Sequence, residues 1–94
     1  MHPQSQDVID RFADALWLED GLSANTLAAY RRDLNLLARW LALAHSLPLL
    51  LVQEYHLQAW FAERHAHSKA TSANRRLTVF RRFFHWALRE GLVQ

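Results

Sequence analysis

Ser23-Ala24-Asn25-Thr26-Leu27-Ala28-Ala29-Tyr30-Arg31-Arg32-Asp33-Leu34-Asn35-Leu36-Leu37-Ala38-Arg39-Trp40-Leu41-Ala42-Leu43 reads as one long, two-faced helix. With successive side chains about 100° apart, Leu27, Tyr30, Leu34, Leu37 and Leu41 gather on one arc. Asn25, Ala28, Arg32, Asn35 and Arg39 gather opposite. Ser23 stands where an N-cap belongs, its hydroxyl able to accept an otherwise free amide of the first turn. Trp40 falls off the apolar arc, so it either packs on another helix or is partly exposed. A helix buried along one stripe needs partners, and the flanking sequence supplies them.

Upstream, a helix from about Asp7 to Glu19 carries Val8, Ile9, Phe12, Ala15 and Leu16 on one stripe, and Asp20-Gly21 stops it. Downstream, Pro48 breaks the chain before a third helix, about Gln53 to His65, with Leu57, Trp60 and Phe61 inward. Its start is poorly signalled, because Leu51 and Val52 occupy the capping positions. A fourth helix runs from about Lys69 or Ser72 to Glu90, and Gly91 ends it. Leu77, Phe80, Phe84, Ala87 and Leu88 form its expected apolar arc. The expectation is an all-α domain, a compact bundle of four main helices, spanning residues 1–94 as a single unit.

Composition agrees. Hydrophobic residues make up 51% of the 94 and aromatics 12%, enough apolar surface for one core and too much for a disordered chain. Two Gly and two Pro are too few for the tight turns of an all-β domain. The absence of Cys excludes disulfides, thiolate zinc sites and thiol nucleophiles. The apolar run Leu47–Val52 is too short to span a bilayer, and residues 1–7 lack the basic and apolar parts of a secretory signal. A cytoplasmic protein is expected.

The net charge of +2 conceals an uneven distribution. Residues 1–50 hold four Arg against six acids, whereas Lys69 to Arg89 hold six cations and no acid. Ten of the eleven cations are Arg, whose planar fork suits phosphate and base edges. Arg75, Arg82 and Arg89 form a column at seven-residue spacing, flanked by Arg76 and Arg81. Lys69, Thr71, Ser72 and Asn74 add short polar groups near the helix start, where free amides can hold a phosphate. Asn25, Thr26, Arg32, Asn35 and Arg39 repeat that chemistry on the second helix. Two such faces point to a polyanion met at two places. The competing explanation is that these Arg are solvated and paired with acids.

Little else carries chemistry. His65 and His67 do not share a helical face and have no Cys to complete a metal site, so they read as ordinary loop histidines. Tyr30 reads as a core tyrosine with its hydroxyl at the rim. No Ser–His–Asp set, paired carboxylates or glycine-rich phosphate loop can be argued from spacing. A helical protein-interaction domain using Trp17, Trp40 and Trp86 is the second reading. A metal-dependent enzyme built on the histidines is a distant third.

The segment Ile9–Leu34, above all Leu22-x-x-Asn25-Thr26-Leu27-x-x-Tyr30-Arg31-Arg32-Asp33-Leu34, resembles the N-terminal core-binding (SAM-like) domain of tyrosine recombinases, the phage integrase family, of XerC/XerD-like type. Trailing Trp40, Lys69-Ala70-Thr71-Ser72, Arg75, Leu77, Arg81 and Arg82 extend the resemblance over nearly the whole chain. It implies a domain forming half of a clamp around a recombination site, in proteins that integrate DNA or resolve chromosome dimers. The partner is double-stranded DNA, with other recombinase protomers in a tetramer on it, and neither a membrane nor a small-molecule substrate. The implied DNA contacts are Asn25, Thr26, Arg32 and Arg39 on the second helix, and Lys69, Thr71, Ser72, Arg75, Arg76 and Arg82 on the fourth. Val8, Phe12 and Trp17 would meet a neighbouring protomer. No metal or nucleotide cofactor is implied. The nucleophilic Tyr and its activating residues belong to a catalytic domain that begins where this chain stops, so no catalytic residue, and no enzyme activity, is expected in this piece.

Overall fold

The computed structural model describes residues 2–64 and 69–93. Its elements are α1 (Pro3–Asp20), α2 (Ala24–His45), a 3-10 turn (Leu49–Leu51), α3 (Glu54–Arg64) and α4 (Ala70–Arg89). No strand occurs among the described residues. The all-α, four-helix expectation holds.

The helix ends follow local chemistry. Pro3 opens α1 four residues earlier than periodicity alone implies, since its fixed φ and missing N–H suit a first helical position. Gly21, at φ 63°, closes α1 in the left-handed region, and the Leu22 amide turns back to the Leu16 carbonyl at 3.5 Å. Two residues later Ser23 caps α2, its Oγ accepting the Thr26 amide at 3.2 Å. At the other end of α2, Ser46 takes the same left-handed conformation, φ 54°, without being glycine. Ser46→Gly should therefore remove a steric cost of about 1 kcal/mol, partly offset by the greater freedom of unfolded Gly. The expected net gain is about 0.5 kcal/mol, a rise of roughly 3 °C in Tm by calorimetry.

The core is a single cluster to which every helix contributes. α1 buries Val8, Ile9, Phe12, Ala13 and Leu16, and α2 buries Leu27, Tyr30, Leu34, Leu37, Ala38 and Leu41. These are the stripes read from periodicity, with Ala13 and Ala38 added and Ala15 only half-buried at the margin. α1 and α4 meet through long aromatics: Phe12 lies edge-on to Phe83 at 5.3 Å and beside Trp86 at 5.5 Å. On α4 the buried residues are Val79, Phe80, Phe83, Trp86 and Ala87, while Leu77 and Leu88 are exposed and Phe84 is half-buried. The helix is thus rotated by about a quarter turn from the expected arc. Aromatics cover so much of its circumference that only the packing partners decide which part goes inside.

α3 is held differently. Only His56 and Trp60 of its eleven residues are buried. Trp60 packs against Phe80 at 5.4 Å, with the Arg64 and Arg76 guanidinium groups 4.9 and 5.6 Å from its ring centre. The missing cap comes from inside the helix, where His56 Nδ1 accepts the Gln53 amide at 2.9 Å.

That cap needs a neutral imidazole. Burial pushes His56 below the ordinary value of 6.5, and the neighbouring His45 ring acts in the same direction. The unfolded chain takes its proton near pH 6.5 while the folded domain resists it. Stability is therefore complete above that pH and is lost as pH falls below it. Melting curves should show Tm dropping between about pH 7.5 and pH 5.5, with the drop reduced in His56→Asn, whose Oδ1 accepts without titrating.

Candidate nucleic-acid interface

α2 and α4 meet along an ionic seam. Asp33, only 1% exposed, accepts two hydrogen bonds from Arg75, from Nε at 2.7 Å and Nη2 at 2.9 Å. Arg76 Nε adds a third at 3.4 Å. These bonds raise the Arg75 pKa further above its ordinary value, against the opposing effect of burial. Further along, Arg82 Nη1 donates to the Tyr30 hydroxyl at 3.3 Å. Contacts 33–75 and 30–82 run in opposite directions along the two helices, so α2 and α4 are antiparallel across the seam.

In an antiparallel pair, positions one step before each seam residue lie on the same side of it. Arg32 precedes Asp33 and Asn74 precedes Arg75. Two polar rows therefore run side by side on one surface, one with Asn25, Ala28, Arg32, Arg39 and half-buried Asn35, whose Oδ1 is sealed from solvent, the other with Thr71, Asn74, Thr78, Arg81 and His85. Neither row contains an acid. Among the described residues no ion pair involves Arg32, Arg39, Lys69 or Arg81, and all four are exposed. The Ser23 hydroxyl, by contrast, is already bonded to the Thr26 Oγ1 at 3.0 Å.

The expected contact residues separate on this surface. Asn25, Arg32, Arg39, Lys69 and Thr71 are exposed, whereas Thr26 and Ser72 are half-buried. Arg75 spends two of its five N–H donors on Asp33 and keeps the rest, its side chain being 42% exposed. Arg76, expected beside it, is turned inward at 14% exposure, held by Asp33 and lying over Trp60, so its visible role is structural. Arg82 binds Asp20 at 2.7 Å and Arg89 binds Glu19 at 3.1 Å. The entire seven-residue Arg column is thus paired with acids from other helices, which is the competing explanation raised by the sequence. Thr78 and His85 belong to the outward row and were missing from the expected contacts. The spacing 74, 78, 81, 85 marks them once the buried face of α4 is set correctly.

The expected protomer contacts change as well. Val8 and Phe12 lie in the core, because α1 packs on α2 and α4 through that stripe, while Trp17 is 55% exposed beside exposed Leu18. Of the three aromatics proposed for a partner helix, Trp86 is buried, and half-buried Trp40 donates its indole N–H to Glu63 at 3.0 Å. Tyr30 is buried with its hydroxyl on Arg82, and Tyr55 lies against the His56 ring at 4.1 Å. His65 and His67 lie outside the described residues. Among the described residues no cluster of three or more His or acidic side chains could hold a metal ion. None of the described helices is long and apolar enough to cross a membrane.

Comparison with known proteins supplies the lineage. Residues 9–91 match the family described as phage integrase, N-terminal SAM-like domain. The chain is 58% identical over 91 residues to the tyrosine recombinase XerD of Ralstonia nicotianae, covering 97% of this chain and 29% of that protein. It is 49% identical to XerD of Proteus mirabilis, over 93% of this chain and 28% of the relative. With XerD of Yersinia pestis it shares 45% identity, over 98% and 31% respectively. The chain therefore spans about three-tenths of the length of these curated relatives. No solved structure matches it significantly. With four helices in place and 83 residues inside the family match, the chain belongs to the phage integrase N-terminal SAM-like domain family.

Proposed function

We propose that this domain binds double-stranded DNA as one half of the clamp of a Xer-type tyrosine recombinase, in which protomers assemble as a tetramer and resolve chromosome dimers. The observation that carries the reading is the pair of acid-free polar rows beside the Asp33–Arg75 seam. Helices pack with axes about 8–10 Å apart, so two such rows make a surface broad enough to meet both backbones bordering a groove. Arg32, Arg39, Lys69 and Arg81, exposed and without an ion pair among the described residues, supply positive charge at its edges, and Arg75 offers its remaining N–H groups in an orientation Asp33 already fixes. Asn25, Thr71, Asn74 and Thr78 are short enough to let the backbones approach. The domain positions the duplex and adds affinity. Cutting and rejoining are assigned to the remainder of the recombinase; in this domain Tyr30 is buried with its hydroxyl held by Arg82. On α1, Trp17 with Leu18 is the part free to meet a neighbouring protomer.

Fluorescence anisotropy with a labelled duplex, titrated across a salt series, tests the proposal. Neutralising roughly 4–6 phosphates gives a log–log slope of about −4 to −5. Arg32→Ala with Arg39→Ala should cost at least tenfold in affinity at about 0.1 M salt and flatten the slope by about 2. These two are better probes than Arg75, whose loss also strips Asp33 of its main partner. Absence of binding at low salt, or binding that ignores salt, would overturn the proposal.

A further inference from the structure

Glu19 and Asp20 occupy the last turn of α1, the negative end of that helix's dipole, where an acid is unfavourable and a cation is preferred. Their partners lie on another helix. Asp20 Oδ2 accepts from Arg82 Nη2 at 2.7 Å, and both Glu19 carboxylate oxygens accept from Arg89 Nη2, at 3.1 and 3.2 Å. Locally wrong residues that fit only through a distant partner mark a place where something other than helix stability is served.

The three pairs of the Arg column differ in kind. Asp33 is sealed in the seam and gripped by two Arg, whereas Asp20 and Glu19 are 42% and 52% exposed and each holds one. Exposed pairs of that sort contribute little stability and exchange readily, while buried ones do not. The same Arg82 and Arg89, with Arg81 and His85, line an open groove of about 590 Å³ between α1 and α4. A carboxylate and a phosphate oxygen offer a guanidinium the same acceptor geometry.

We infer that Glu19 and Asp20 are built-in competitors for DNA phosphate, occupying Arg82 and Arg89 until a duplex displaces them. This rests on the DNA-binding reading above and deepens it. Non-specific association with DNA is almost wholly phosphate electrostatics. A competitor on two phosphate-binding Arg therefore weakens contact with arbitrary sequence, which rests on little besides those charges. The acids lower basal affinity: they keep two of the three Arg of the α4 column electrically neutral until a duplex displaces them.

The test is a double-mutant cycle on a random-sequence duplex of about 25 base pairs, read by anisotropy over a salt series. Glu19→Gln with Asp20→Asn should tighten binding about tenfold at roughly 0.1 M salt and steepen the slope by 1–2. Asp7→Asn with Asp14→Asn makes the same charge change on exposed positions of α1 and should give less than about a twofold gain. In an Arg82→Ala, Arg89→Ala background the Glu19/Asp20 gain should fall to that control level. Equal gains from both acid pairs, or a gain that survives loss of the two Arg, would overturn the inference while leaving DNA binding intact. If neither wild type nor the Glu19/Asp20 variant bound the duplex even at low salt, the DNA reading itself would fall. Melting curves establish that each variant is folded. Glu19→Gln and Asp20→Asn taken singly should each give part of the gain, so the outcome does not hang on the double substitution.

Discussion

Replacing Trp60 with Ala should lower the unfolding free energy by about 4 kcal/mol, within the range for deleting a large buried aromatic. For a domain of this size the whole margin is roughly 5–15 kcal/mol, so the substitution removes between about a quarter and most of it. The loss is larger than a lost ring contact because of what Trp60 anchors. α3 has one other buried side chain, His56, and its fixed end depends on that residue's cap. Removing the indole takes away the surface against Phe80 and the platform beneath Arg64 and Arg76 together. Hydrogen exchange should show α3 amides opening first, well before those of α1 and α2. Uniform loss of protection across all helices would contradict this account of how α3 is held.

Asp33→Ala should cost about 3 kcal/mol, or roughly 15 °C in Tm. Removing one partner of a buried ion pair leaves the other charged and without its acceptor. Here two guanidinium groups lose it. Arg75 is exposed enough to turn into water, which recovers part of the loss, but Arg76 is enclosed beside Trp60. Asp33→Leu should recover some stability through apolar contact yet leave DNA affinity low, because Arg75 loses the fork that aims it. Stability and affinity that rise and fall together across both variants would show that the seam acts through folding alone.

The helix count, the all-α architecture and the α1 and α2 stripes were legible because those helices carry clean one-sided periodicity ended by Gly21 and begun by Ser23. On α4 the pattern was ambiguous. Leu77, Phe80, Phe83, Phe84, Trp86 and Leu88 spread around more than half the helix, and only contact with Phe12 and Trp60 selects the buried part. The misplaced arc also left Thr78 out of the exposed polar row, and Arg76, named as a contact by the resemblance, is turned inward. Charge counting likewise saw six cations without an acid between 69 and 89, but pairing occurs in space, and the acids come from α1 and α2. His56 and Ser5 stayed invisible because each acts through a single hydrogen bond to a backbone amide, which leaves no trace in periodicity.

Ser5 is buried, and its hydroxyl accepts the Leu49 amide at 2.9 Å, joining the first turn of α1 to the 3-10 turn forty-four residues later. The opening residues are accordingly a clasp rather than a tail. Trimming them, or fusing a tag so close that Pro3 no longer starts the helix, strands a buried amide at the turn that leads into α3. An engineer seeking a permissive end for labels or domain swaps should expect interference there, although sequence position alone would nominate it.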